Sequence, residues 1–350
     1  MLIFLIILAG IIIYGIKISK RGAFFDDYSA PKQTAAINGI FSLLIFLSHS
    51  SQYLTLNEAI DKPYSLLCMY LGQLVVATFL FFSGYGMMES ISKKGQSYIK
   101  SMPSKRLFKT WYHFAITLVL FLITNQFLDI HVSVQDTILS FTGLTSLGNS
   151  NWYMFVTFVM YILIFIAFMI AGEKKLIGVL LTFVFTVIFA LTEYKCGLPS
   201  RFYDTVFCLP AGMLYSVLKP KVDKFVMKKD SIWCISTIVI TGVFLLFGTL
   251  STEGIVYQNL CGIFMVIAIM LITMKFKIGN PILDFLGRHI FSIFILQRIP
   301  MRILDYLGIS SNKYAFIVLS LVFTIVIALA FDAVIAKTDK IIFQNKKSRT

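Results

Sequence analysis

Long apolar runs, separated by short polar segments, repeat along the whole chain. Runs of roughly 17–25 residues have the length that crosses a bilayer as an α-helix. We predict about eleven such spans. They cover residues 1–17, 35–55, 64–88, 108–129, 152–171, 176–193, 202–218, 231–250, 255–274, 289–308 and 314–336. The pattern therefore predicts an all-α, polytopic membrane helical bundle, with one N-terminal helix before a core of about ten helices.

Composition agrees with the span pattern, because 58% of the 350 residues are hydrophobic and only 14% are charged. The first run has no basic leading segment and no small-residue cleavage site, so we expect a retained span rather than a signal peptide. We predict three parts: an N-terminal helix and loop (1–32), a membrane domain (33–340) and a basic tail (341–350). The five cysteines are scattered without a CxxC spacing, so no metal site is expected.

The net charge of +14 comes from lysine and arginine residues that fall mainly in alternate loops. Basic residues are concentrated at 17–32, 93–106 and 219–229 and in the tail, whereas the loops between them hold few. The positive-inside rule then predicts a cytoplasmic C-terminus and an outer N-terminus. Membrane topology thus explains the charge, and no nucleic-acid partner is expected.

Two polar side chains in the second span lie at membrane depth, where ionisable groups are rare and mark function. His49 lies about 15 residues from the cytoplasmic start of this span, or roughly 22 Å into the membrane. Asn38 lies about three turns below it on nearly the same helix face. The near-neutral pKa of histidine suits general-base chemistry. A packing histidine bonded to a backbone carbonyl is the alternative.

The tenth span carries Arg298 near mid-depth, without a partner nearby in sequence, which predicts a functional role. Arg302 and Asp305 follow at a spacing that allows an ion pair. In the third span, "FFSGYGMM" places Tyr85 between two glycines, which permit close approach of a helix or ligand.

Two segments at outer helix ends, "SNWYMF" and "RFYDTVFCLPAG", bring further polar groups to the predicted level of His49. Asn151 and Asp204 are candidate site residues, and Asp204 is the carboxylate most suited to orient the imidazole. Trp152 is a candidate substrate contact, or else part of an interfacial aromatic belt.

Four stretches, in order, resemble the type-3 integral-membrane acyltransferases, which acylate sugar hydroxyls of cell-surface polysaccharides. They are "INGIFSLLIFLSH", "FLFFSGYGMM", "YIKSMPSKRLFKTWYHF" and "LGRHIFSIFILQRI". The resemblance covers nearly the whole chain from about residue 33, and the first span lies outside it.

The resemblance implies a catalytic His49 and a cytoplasmic acyl-CoA donor whose phosphates contact Lys105 and Arg106, with Arg288 as a further donor contact and Tyr85 beside the donor. The sequence departs from the family where Asn38 fills the position of an arginine. It departs again at Gln297–Arg298, where the family often has a histidine.

The resulting hypothesis is a multi-pass enzyme of the bacterial plasma membrane. It would transfer an acyl group, expected to be acetyl from acetyl-CoA, to a hydroxyl of a capsular or exported polysaccharide or a lipid-linked glycan. His49 would act directly as base or form a transient acyl-histidine, and Arg298 or Asn38 would polarise the carbonyl. A transporter or flippase for lipid-linked glycans is the main alternative, although the sequence shows neither two-half symmetry nor broken helices. The third hypothesis is a non-catalytic membrane partner.

Overall fold

The computed structural model describes residues 1–344, so the basic residues Lys346, Lys347 and Arg349 of the predicted tail lie outside the described residues. The helices are α1 Leu2–Ile13, α2 Pro31–Ser50, α3 Lys62–Leu71, α4 Leu74–Lys94, α5 Gln96–Met102, α6 Lys109–Phe127, α7 Val134–Ser140, α8 Asn151–Ala171, α9 Lys175–Lys195, α10 Cys208–Val226, α11 Asp230–Leu250, α12 Ile255–Thr273, α13 Pro281–Arg288, α14 Ile290–Leu296, α15 Arg298–Tyr306 and α16 Lys313–Asp339. Two short strands, β1 Lys17–Ile18 and β2 Phe276–Lys277, pair antiparallel.

The predicted all-α polytopic bundle is confirmed. Within residues 1–344, 8 helical segments are long and apolar enough to cross a membrane, and each overlaps a predicted span. The other three predicted spans differ: 1–17 contains the 12-residue α1, 202–218 overlaps α10, and 289–308 is divided between α14 and α15. The predicted loop between the third and fourth spans, residues 89–107, is also mostly helical, because α4 extends to Lys94 and a helical segment resumes at Gln96.

Two helical breaks correct the expectation of uninterrupted helices. Gly72, with φ 29°, separates α3 from α4. Gln297 separates α14 from α15, and Pro300 lacks the N–H that would bond the carbonyl one turn earlier. At the same break the side-chain Nε2 of Gln297 donates to the carbonyl of Phe294 at 3.1 Å. Both breaks adjoin the cavity described below.

Glycine residues bring two helix pairs into close backbone contact. A Cβ on Gly84 of α4 would lie 2.0 Å from the Leu209 carbonyl oxygen of α10, and one on Gly212 would lie 2.0 Å from that of Phe81. Small residues let membrane helices approach closely enough for backbone packing. The first glycine of "FFSGYGMM" is therefore a helix-packing residue.

The second glycine-mediated pair consists of α2 and α13. A Cβ on Gly39 would lie 2.3 Å from the Leu283 carbonyl oxygen, and one on Gly287 would lie 1.9 Å from that of Ala35. These contacts hold the helix that carries His49 against the rest of the bundle.

Polar contacts group the loops at two ends of the bundle. At one end β1 pairs with β2, and Lys275 binds Asp230 at 2.6 Å. At the other end Lys313 binds Glu58 and Asp61, both at 2.9 Å. These groups join predicted cytoplasmic loops to one another and predicted outer loops to one another, which agrees with the predicted topology.

The segment between α6 and α8 folds back along α6. Trp111, in the first turn of α6, donates to the Phe141 carbonyl at 3.0 Å, although α6 is roughly 27 Å long. Asn125, near the other end of α6, donates to the Leu147 carbonyl at 3.1 Å. This segment, which lies on the predicted outer side, is thus packed against the bundle and forms part of the wall of the cavity described below.

Replacing Gly84 by alanine should destabilise the protein by about 1–3 kcal/mol, because the new methyl group meets the Leu209 carbonyl. Unfolding in mixed detergent micelles measures the change. Gly86→Ala is the matched control, since no atom lies within 4 Å of a Cβ built there. Equal unfolding midpoints for the two variants would contradict the packing role.

Candidate active site

A cavity of about 390 Å³ lies at the predicted outer end of the bundle. Four residues proposed from the sequence line it together: His49, Arg298, Asn151 and Trp152. They come from α2, α15 and the start of α8, which are far apart in the chain. The fold therefore brings a histidine, a guanidinium and an amide to one chamber.

His49 lies in the last turn of α2 and is only 7% exposed. Its Nδ1 is buried, and no residue between 1 and 344 bonds to it. The ring lies beside Phe294, with a centroid distance of 6.3 Å. The hydrogen bond to a backbone carbonyl that a packing histidine would require is absent from this part of the chain. The imidazole is instead held by packing on the cavity wall.

Arg298 is positioned by two neutral partners. Its Nη2 donates to Gln52 Oε1 at 2.8 Å, and its Nε donates to Ser150 Oγ at 3.3 Å. The break at Gln297 starts α15 at this residue and lets the guanidinium reach the cavity. Such an arrangement holds a cation beside the imidazole.

Asn149 is a cavity residue that the sequence analysis missed. Its Oδ1 accepts hydrogen bonds from the Leu147 amide at 3.1 Å and from Ser146 Oγ at 3.3 Å. A backbone amide can only donate, so these bonds define which side-chain atom is oxygen. The Nδ2 is buried without a partner in the described chain. Its only sequence signal is the polar run before α8.

Asn151 and Asp204 have different positions relative to the cavity. The Asn151 amide donates to the carbonyls of Gly143 and Leu144, at 2.6 and 3.1 Å, and so fastens the folded-back segment to α8. Asp204 lies in the turn between α9 and α10, outside both helices and not among the cavity residues. Burial raises the pKa of its carboxyl to about 7. No described hydrogen bond joins Asp204 to His49.

Asn38 lines a second cavity, of about 280 Å³, rather than the His49 cavity. Five aromatic residues line this cavity, and three of them form a layer: Phe79, Tyr153 and Phe294. They contact one another at centroid distances of 5.1 to 6.4 Å. Because Phe294 also contacts the His49 ring, this aromatic layer lies between Asn38 and the imidazole. The Asn38 Oδ1 is buried without a partner within residues 1–344.

A third cavity, of about 570 Å³, shares Thr34 and Phe82 with the second. Tyr85 lines it and donates to Ser29 Oγ at 2.9 Å. The charged residues of its wall were not proposed as site residues from the sequence: Asp26, Asp27, Glu89, Lys93 and Lys219. The three cavities thus follow one another from the predicted cytoplasmic end to His49.

The three other proposed donor contacts line none of these cavities. Arg106 donates from Nε to the Tyr98 hydroxyl at 3.0 Å in a π-helical turn, and Lys105 beside it is exposed. Arg288 ends α13 and donates to the Asp284 carbonyl at 3.2 Å. Among the described residues, no cluster of three or more His, Cys, Asp or Glu side chains could hold a metal ion.

Comparison with known proteins gives one match. No curated protein and no solved structure matches the chain. The family model described as an acyltransferase domain matches residues 36–333, which extend from α2 to α16 and include every cavity residue named above except Asp26, Asp27, Ser29 and Thr34. Most of the chain, with the His49 cavity inside it, therefore belongs to the type-3 membrane acyltransferase family.

Proposed function

We propose that the protein is a membrane O-acyltransferase in which His49 activates a glycan hydroxyl. Within an acyltransferase domain, the supporting observation is the imidazole in an outer cavity that continues a series of inner cavities. The donor is acyl-CoA from the cytoplasm, with acetyl as the group moved. The acceptor is a capsular or other exported polysaccharide, or its lipid-linked precursor, at the bacterial plasma membrane.

The cavity series fits a donor with a long, narrow arm. The pantetheine arm would pass from the cavity beside Tyr85 to that beside Asn38, and its thioester would reach the aromatic layer next to His49. The unpartnered Asn38 Oδ1 would accept an amide N–H of the arm, a contact that needs no arginine. This role accounts for the departure from the family at position 38.

The mouth of the inner cavity supplies candidate contacts for the donor phosphates. Lys93 and Lys219 line it, whereas Arg106 is bonded to Tyr98. Both lysines are near carboxylates, Glu89 at 3.7 Å and Asp223, so phosphate binding there would exchange one anion for another. Lys105, Arg106 and Arg288 remain proposed outer contacts of the nucleotide.

The chemical step is a direct transfer at the aromatic layer. His49 takes the proton of the acceptor hydroxyl as its oxygen attacks the thioester carbonyl. The C–S bond then breaks, and the proton passes to the leaving thiolate. Arg298 and the Asn149 amide would stabilise the negative charge on the carbonyl oxygen, because fixed donors beside a developing charge lower the barrier. Attack by His49 itself, giving an acyl-histidine, is the two-step variant.

The helical breaks at Gly72 and Gln297 are also compatible with a transport function, since such breaks occur in transporters. Proteoliposomes distinguish the two functions. With labelled acetyl-CoA outside inverted vesicles and glycan inside, the proposed enzyme acetylates the glycan. Glycan movement without acetylation would favour a transporter or flippase, and inactivity in both assays would favour a non-catalytic partner.

Replacing His49 by alanine should lower acetyl transfer about 10²–10⁴-fold, since the general base is lost. Labelled acetyl incorporation into glycan measures the effect. His131→Ala is the control, because His131 is exposed and lies outside the His49 cavity. Transfer by the His49 variant within threefold of the unmodified protein would overturn its role.

Replacing Asn149 by aspartate should lower kcat about 10²–10³-fold with little change in the unfolding midpoint. The new carboxylate keeps the oxygen that accepts from Leu147 and Ser146 but removes the Nδ2 donor. Asn312→Asp is the matched control, since the Asn312 oxygen alone caps α16. An unchanged kcat for the Asn149 variant would exclude it as a donor to the reacting carbonyl.

A further inference from the structure

The outer cavity has an unbalanced charge. Arg201 and Arg298 line it, and no aspartate or glutamate is among its lining residues in the described chain. The remaining polar groups of its wall are neutral amides and hydroxyls, apart from His49. Two guanidinium groups therefore face a chamber that supplies no negative partner.

A third guanidinium lies directly behind the cavity wall. Arg302 is one helical turn from Arg298 on α15, so both occupy the same helix face. Its Nη1 donates to the Leu147 carbonyl at 2.9 Å. A Cβ on Gly148 would lie 2.2 Å from the same Nη1 atom. Gly148 itself lines the cavity. Backbone and guanidinium are thus packed together in the wall.

None of these three arginines forms an ion pair within residues 1–344. The pairing of Arg302 with Asp305 that their spacing allowed does not form, and Asp305 is exposed. Burial raises the pKa of the Asp204 carboxyl, and the positive charge of Arg201 only partly opposes this rise. Asp204 lies outside the cavity.

This excess positive charge is unfavourable without a ligand. Arg298 and Arg302 are partly buried, and a guanidinium in such a place without a counter-charge carries a desolvation penalty that a carboxylate or phosphate would offset. The predicted outer loops otherwise contain few basic residues, as the positive-inside rule favours. Arginine also binds carboxylates and phosphates through two parallel hydrogen bonds, which lysine does not provide.

We propose that the outer cavity binds an anionic glycan, in which a carboxylate or a phosphate lies beside the hydroxyl presented to His49. Arg201, at the exposed rim, binds the charged group, and Arg298 deeper in the cavity adds to the positive potential that attracts it. The neutral residues Gln52 and Gln73 contact the sugar hydroxyls. The assignment of this glycan as acceptor rests on the proposed function, whereas its binding does not.

Two matched probes test the charge requirement: trigalacturonate, which carries carboxylates, and its methyl ester, which has the same sugars without charge. Equilibrium binding to the purified full chain, measured by thermal shift and calorimetry, should favour the acid form at least tenfold. A glycerol phosphate oligomer forms a third arm. Tighter binding of this oligomer than of trigalacturonate assigns a phosphate, and the reverse assigns a carboxylate. Equal binding of acid and methyl ester would overturn the proposal.

Variants locate the binding in the cavity. Arg201→Gln should weaken trigalacturonate binding about tenfold and leave binding of the methyl ester unchanged, since one charged hydrogen-bonded contact is lost. Lys195→Gln is the control, because it removes the same charge from an exposed residue of α9 outside the cavity. An equal effect of the two variants would show attraction by general surface charge and overturn the site.

Acetyl transfer to the same probes separates this proposal from the function on which it rests. Transfer to trigalacturonate at a kcat/KM at least tenfold above that for the methyl ester supports both. Charge-selective binding without transfer to any probe supports the anionic site and contradicts the acyltransferase reaction with these acceptors. Transfer that does not distinguish acid from ester supports the reaction and overturns the anionic site.

Discussion

The site depends on backbone contact between helices that carry glycine where they meet. In a bilayer the helices gain little from burying apolar side chains against one another, so close packing and hydrogen bonds must hold them together. Gly39 and Gly287 let α2 lie directly on α13, and Gly84 and Gly212 do the same for α4 and α10. The position of His49 follows from the first of these contacts. A methyl group at Gly39 or Gly287 would separate α2 from α13 and displace the imidazole.

The interior of the bundle is divided rather than continuous. Phe79, Tyr153 and Phe294 form a layer between the Asn38 cavity and the His49 cavity. A layer of rings at this depth separates the two cavities, which suits a reaction whose donor and acceptor approach from opposite sides. Apolar rings around the proposed thioester position would keep water from it, and exclusion of water limits hydrolysis of a reactive group. The division is therefore consistent with transfer and unfavourable for a continuous transport path.

The two ends of the bundle differ in their electrostatics. The inner cavity mixes three carboxylates with two lysines, whereas the outer cavity carries arginines alone as its permanently charged groups. At the inner end the pairs of Lys93 with Glu89 and of Lys219 with Asp223 balance the charge. At the outer end Arg298 bonds only to neutral oxygens. The wall that completes this end comes from the segment folded back along α6, not from an outward loop.

The sequence by itself determined the helical membrane class and the family. It also predicted His49, Arg298, Asn151 and Trp152 as site residues, and the fold brings these four into one cavity. These follow from local properties: apolar run length, and the cost of polar groups at membrane depth. It did not reveal Asn149 or Arg201 as cavity residues, because loop residues are brought there only by the path of the chain between helices. Nor did the sequence show that Asn38 and His49 line different cavities. Their shared helix face suggested one site, but the aromatic rings that divide them come from α4, α8 and α14, and only tertiary packing brings those three helices together.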